Sequence, residues 1–162
     1  MTDGASPYAA FIEKELQREY DRRDSVNARA SGLIVGASGL TGVTLLVAAI
    51  LNGNDVVLRG YGAVALSVAL VAFIVSGMLA VLAGLNWRFK VAAIRTLDAM
   101  LSDHWTDDAT TAGNQCSYLN VRTTASLRNG TNIKFRLLLA AACLQLVALA
   151  GLALTAVQLM LD

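Results

Sequence analysis

Ala30-Ser-Gly-Leu-Ile-Val-Gly-Ala-Ser-Gly-Leu-Thr-Gly-Val-Thr-Leu-Leu-Val-Ala-Ala-Ile-Leu51 contains no charged residue. The gap runs from Arg29 to Asp55, and a helix of roughly 25 residues reaches about 37 Å. The ~30 Å hydrocarbon core of a bilayer needs less, so the stretch predicts a membrane span. Two more charge-free gaps, from Arg59 to Arg88 and from Arg136 to Asp162, predict two further spans. Composition agrees: 56% of residues are hydrophobic and 15% charged, with a mean hydropathy of +0.55. That leaves too little polar surface to coat a soluble globule.

The charged stretch Glu13 to Arg29 is far longer than the n-region of a signal peptide, so the first span is read as retained. Twelve of the thirteen Lys and Arg fall in the N-terminal segment or between spans two and three, and Arg59 alone lies in the first connection. The positive-inside rule places the two basic segments in the cytoplasm and the C-terminus outside. Cys116 and Cys143 lie in different compartments of this scheme and are expected as free thiols.

The fold expected is an all-α membrane protein. It has an N-terminal amphipathic helix over 1–29, a transmembrane hairpin over 30–85 with spans 30–51 and 62–85, a cytoplasmic helical hairpin over 86–136 and a third span over 137–161. Ser6-Pro7 is a helix start, and Ile12, Leu16 and Tyr20 recur at helical spacing. Neither Gly nor Pro interrupts Tyr8 to Ala30, so the first helix should continue into the first span. Asn52-Gly53-Asn54-Asp55 is a turn signal, and the connection ends near Gly60. Trp87, Val91, Ile94, Leu97, Leu101 and Trp105 follow three-four spacing, which predicts a second cytoplasmic helix. Thr106-Asp107-Asp108 should break it and cap the next helix, with a kink expected at Asn129-Gly130.

Leu33-Ile-Val-Gly36-Ala-Ser-Gly39-Leu-Thr-Gly42 looks like the glycine turn of nucleotide-binding reductases. A dinucleotide fold needs further βαβ units, and nothing after Arg59 supplies them. The packing reading is preferred. On a helix Gly32, Gly36 and Gly39 share an arc of about 60°, bordered by Ser38 and Gly42, which suits close backbone approach. Ser76, Ala80 and Gly84 offer a similar small face in span two. In span three Ala141, Gln145, Ala148, Leu152 and Thr155 follow a heptad seam. Gly32, Gly36, Ser38, Gly39, Gln145 and Thr155 are thus the candidates for helix packing or pore lining. For Gln145 an interhelical hydrogen bond is the first reading and a pore lining the second.

No catalytic constellation is visible, and neither enzyme activity nor a cofactor or metal is expected. His104 is the single histidine and is read as an interfacial or packing residue. The absence of Asp, Glu, Lys and Arg inside the spans argues against proton-coupled transport. Arg22, Arg23, Arg29, Arg88, Lys90, Lys134 and Arg136 form a basic set near the inner membrane surface. They are the candidates for binding lipid headgroups or an anionic ligand.

Tyr20-Asp-Arg-Arg-Asp-Ser25, Ala28-Arg-Ala-Ser-Gly-Leu-Ile-Val-Gly36, the close of span two on Asn86-Trp87 and a cytoplasmic hairpin before the last span together resemble a family. It is that of the small bacterial SLATT and Pycsar-type membrane effectors of nucleotide-signalled antiphage defence. The third span is additional to the two-span SLATT plan. The resemblance implies a homo-oligomeric channel or pore-forming effector of the bacterial inner membrane, in contact with membrane lipid. It also implies a cyclic nucleotide or oligonucleotide ligand and a cognate nucleotide-synthesising enzyme. A non-catalytic membrane anchor or scaffold that recruits a cytoplasmic partner is the alternative.

Overall fold

The computed structural model describes residues 7–53, 60–85, 92–104 and 106–161. Four helices account for nearly all of them: α1 Pro7–Gly53, α2 Tyr61–Gly84, α3 Ile94–Ser102 and α4 Ala109–Leu161. No strand occurs among the described residues. Helices α1, α2 and α4 are long and apolar enough to cross a membrane, which points to a membrane location. The expected features at Asn54-Asp55, Asn86-Trp87-Arg88, Lys90 and Trp105 lie outside the described residues.

α1 begins at Pro7, where a proline lacking an N–H fits the first helical position, and runs without a break to Gly53. Gly60, with φ of 65°, turns the chain into α2 in a conformation that a Cβ would oppose. Asp108 caps α4: its Oδ2 accepts from the backbone N–H of Thr110 at 3.0 Å and of Thr111 at 3.1 Å. At Asn129-Gly130, where a kink is expected, α4 passes through both residues as unbroken helix. A helix-interior glycine costs only about 1 kcal/mol relative to alanine, and the buried Leu127 and Thr131 on either side hold the turn.

The chain divides into two compact units. One comprises Met1–Ser25 and Asn86–Asn132. The other comprises Val26–Leu85 and Ile133–Asp162.

The second unit packs the apolar parts of α1 and α4 with α2. Its inward residues step alternately by four and three. On α1 they are Val26, Ala30, Leu33, Ala37, Leu40 and Thr44; on α2, Gly62, Leu66, Ala69, Phe73, Ser76, Ala80 and Ala83. On α4 they are Lys134, Leu138, Ala141, Gln145, Ala148, Leu152 and Thr155. This 3.5-residue repeat is the pattern of left-handed helix packing. Two clusters hold it together. Val26, Ala30, Ala83 and Leu138 form one, and Ala69, Ala72, Phe73 and Ala148 form the other. Most of these side chains are small because lipid tails are as apolar as leucine, so van der Waals contact between close backbones drives association instead. At Gly151 a Cβ would sit 2.9 Å from the Ala65 carbonyl oxygen and 3.2 Å from the Ala69 Cβ. The α2–α4 approach therefore requires glycine at that point.

Candidate functional site

Polar groups inside an apolar bundle must find partners within it, since hydrocarbon offers none. Three helices and four side chains meet this demand here. The Ser76 hydroxyl, fully buried on α2, donates to the Ala141 carbonyl of α4 at 2.7 Å. Gln145 Nε2 on α4 donates to the Leu33 carbonyl of α1 at 3.0 Å. Thr155 Oγ1 donates to its own Gly151 carbonyl at 3.0 Å and reaches the Gly62 carbonyl of α2 at 3.4 Å. Lys134 Nζ donates to Asn27 Oδ1 at 2.9 Å, with the lysine side chain wholly buried. These contacts run along the α4 seam and fix its register against both other helices.

The seam and the glycine stripe meet at one point. A Cβ at Gly36 would lie 3.9 Å from Gln145 Nε2, so Gly36 belongs to the packed face. Gly32 and Gly39 do not: a Cβ added to either meets nothing within 4 Å, and the same holds for Gly42. Ser38 is exposed and donates back to the Ile34 carbonyl at 2.9 Å. The close α1–α2 approaches are instead Ala37 with Gly77 at 3.6 Å and Ala30 with Gly84 at 3.8 Å, measured to the added glycine Cβ.

Comparison with known proteins returns no matching family model, curated protein or solved structure.

The basic residues separate by environment. Arg29 and Arg136 are exposed in the apolar unit, while Lys134 is buried against Asn27. In the charged unit Arg23 is half-buried, and Arg22 donates to Asn132 Oδ1 at 2.9 Å and lies 3.7 Å from Glu19. Arg88 and Lys90 lie outside the described residues.

Charge spacing alone did not single out the acidic partners. Arg128 Nε donates to Glu19 Oε1 at 2.8 Å, and its Nη2 lies 3.5 Å from Glu15, which also pairs with Arg18. The bond to Glu19, then the charge of that carboxylate, raises the Arg128 pKa above the ordinary arginine value. Glu19 itself is buried, at 5% exposure, in the charged part of α1. Beside these groups runs a groove of about 650 Å³, walled by Phe11, Ile12, Val121 and Ala125, with Glu15 and Arg128 also lining it. A second cavity of about 470 Å³ lies between α3 and α4, lined by Met100, His104, Gln115, Cys116, Tyr118 and Leu119. His104 Nδ1 sits 3.1 Å from Asp107 Oδ2, so it is tied into the α3–α4 turn, and the Arg122 guanidinium lies 5.3 Å from the Tyr118 ring centre. Thr111, through its side chain and backbone, holds the Asp108 carboxyl below its ordinary pKa. Cys116 and Cys143 are free and exposed.

Proposed function

We propose that the chain is a homo-oligomeric channel or pore-forming effector of the bacterial inner membrane, opened by a nucleotide-type signal in antiphage defence. The observation that carries this reading is the open glycine face of α1. Ala28, Gly32, Val35, Gly39, Gly42 and Leu46 are all exposed and step by four and three along one side of the helix. Each glycine costs a helix about 1 kcal/mol relative to alanine, and among the described residues nothing lies within 4 Å of a Cβ added at Gly32, Gly39 or Gly42. Close approach of a second copy's backbone would offset it. The exposed Ser31 and Ser38 lie beside this face and would bring hydroxyl groups to a subunit boundary.

The signal reading rests on the resemblance to SLATT and Pycsar-type effectors. It is supported by continuity, since α1 and α4 each join a charged stretch to an apolar one in a single helix. The distribution of Lys and Arg supports a cytoplasmic N-terminal amphipathic helix, a cytoplasmic helical hairpin before the last span, and an outer C-terminus. Protein reconstituted in liposomes is expected to release a trapped dye, with a rate altered by a cyclic nucleotide or oligonucleotide. A strict monomer that gives no leak with any nucleotide tested overturns this reading.

The second reading is a membrane anchor that recruits a cytoplasmic partner, such as a nucleotide-synthesising enzyme. The groove beside Arg128 favours it, because its apolar wall and the exposed Tyr8 lie open. Recovery of one stoichiometric partner in detergent, together with dye-tight liposomes, would select this reading over the channel.

A further inference from the structure

We infer that α3 lies along the membrane surface, with Ile94, Leu97 and Leu101 seated in the lipid interface. These three side chains are 81%, 50% and 64% exposed, although each is large and apolar. On a helical wheel they fall within about 60° of one another. The opposite side of α3 is the one its own unit uses, since Thr96, Ala99 and Met100 are half-buried there. Arg95, Asp98 and Ser102 occupy the remaining polar edge and are exposed. Helix α3 therefore presents one packed face, one charged edge and one apolar face that is exposed among the described residues.

A bilayer is the occupant that this chain always has at hand. Helix α2 is one of the three apolar helices, and the segment after it ends at Leu85. Eight residues separate Leu85 from Ile94, which tethers the start of α3 within at most about 30 Å of the end of a membrane-crossing helix. The sequence has Trp87 before α3 and Trp105 after it, the residue type enriched at membrane–water interfaces. An arc of Ile and Leu flanked by Trp, with an arginine at its edge, is the composition of a helix lying in the interfacial plane. A helix of nine residues is short for such binding by itself, and the tether supplies the effective concentration it lacks.

The test uses full-length protein in nanodiscs, with Cys116→Ser and Cys143→Ala as background and one new cysteine at a time. Leu97→Cys, Leu101→Cys and Ser102→Cys are each labelled with an environment-sensitive fluorophore, and lipids carrying a nitroxide at a shallow or a deep acyl position are added. Labels at 97 and 101 are expected to be quenched at least twofold more strongly by the shallow nitroxide than the label at 102. Ile94→Glu in the Leu101→Cys background should abolish that quenching. Water-like emission at 97 and 101 overturns the inference. So does blue-shifted emission that lipid nitroxide leaves untouched, since a protein or second copy would then cover the face.

Discussion

The ammonium of Lys134 is buried inside the helical bundle, 2.9 Å from the amide oxygen of Asn27. Hydrogen bonds to charged groups contribute about 1.5–3 kcal/mol. Asn27→Leu is therefore expected to lower stability in mixed micelles by about 2 kcal/mol. The double variant Asn27→Leu, Lys134→Met, which replaces the polar pair with apolar groups of similar volume, should recover most of the loss. Denaturant unfolding followed by circular dichroism measures both.

Gly151 and Gly39 are both helix glycines in apolar segments, yet they predict opposite outcomes. Gly151→Ala forces a methyl against the Ala65 carbonyl and should destabilise the bundle by about 1–3 kcal/mol. Gly39→Ala meets open space in the chain and should raise monomer stability by up to about 1 kcal/mol while weakening self-association. Thermal unfolding reads the first quantity, and cross-linking in nanodiscs reads the second.

Arg128 and Glu19 are unequal partners, for the arginine is half-exposed and the carboxylate is buried. Arg128→Met leaves a carboxylate in a poorly solvated site and should lower the melting temperature more than Glu19→Gln, which keeps an acceptor for Arg128. Equal drops for the two variants would show that the pair acts as an ordinary surface contact.

Asp108 supplies a pH dependence with a definite sign. Its folded pKa is lowered, so its contribution is fully present above the ordinary carboxylate value of about 4 and is lost as pH falls through the folded value. Amide exchange over the first turn of α4 should speed up in that acidic range. Asp108→Asn, which caps without a titrating charge, should flatten the response, whereas Asp108→Ala should fray the turn at every pH.

The charge-free gaps after Arg29, Arg59 and Arg136 made the apolar helices legible, because a helix satisfies every backbone group of a long uncharged segment within that segment. The Asp108 cap and the α4 seam through Ala141, Gln145, Ala148, Leu152 and Thr155 were legible for similarly local reasons. Glu19 and Lys134 were not. Lys134 reads in sequence as a headgroup or ligand contact and Glu19 carries no reading of its own, yet both are buried, since Arg128 on α4 donates to Glu19 and Asn27 on α1 accepts from Lys134. A pairing across more than a hundred residues leaves no periodic trace.

Sequence by itself determined that the chain is helical, how many helices are long and apolar enough to cross a membrane, and where their charged flanks begin. Only the tertiary structure decided which side of α1 faces inward, and that Ala69 and Gly151 meet at the α2–α4 approach. Every side is apolar, so polarity has no period to report, and the inward face is chosen by how closely backbones can approach. That choice packs Ala69, Ala80 and Gly151 inside, while Gly32, Gly39 and Gly42, the most conspicuous small residues in the sequence, remain open.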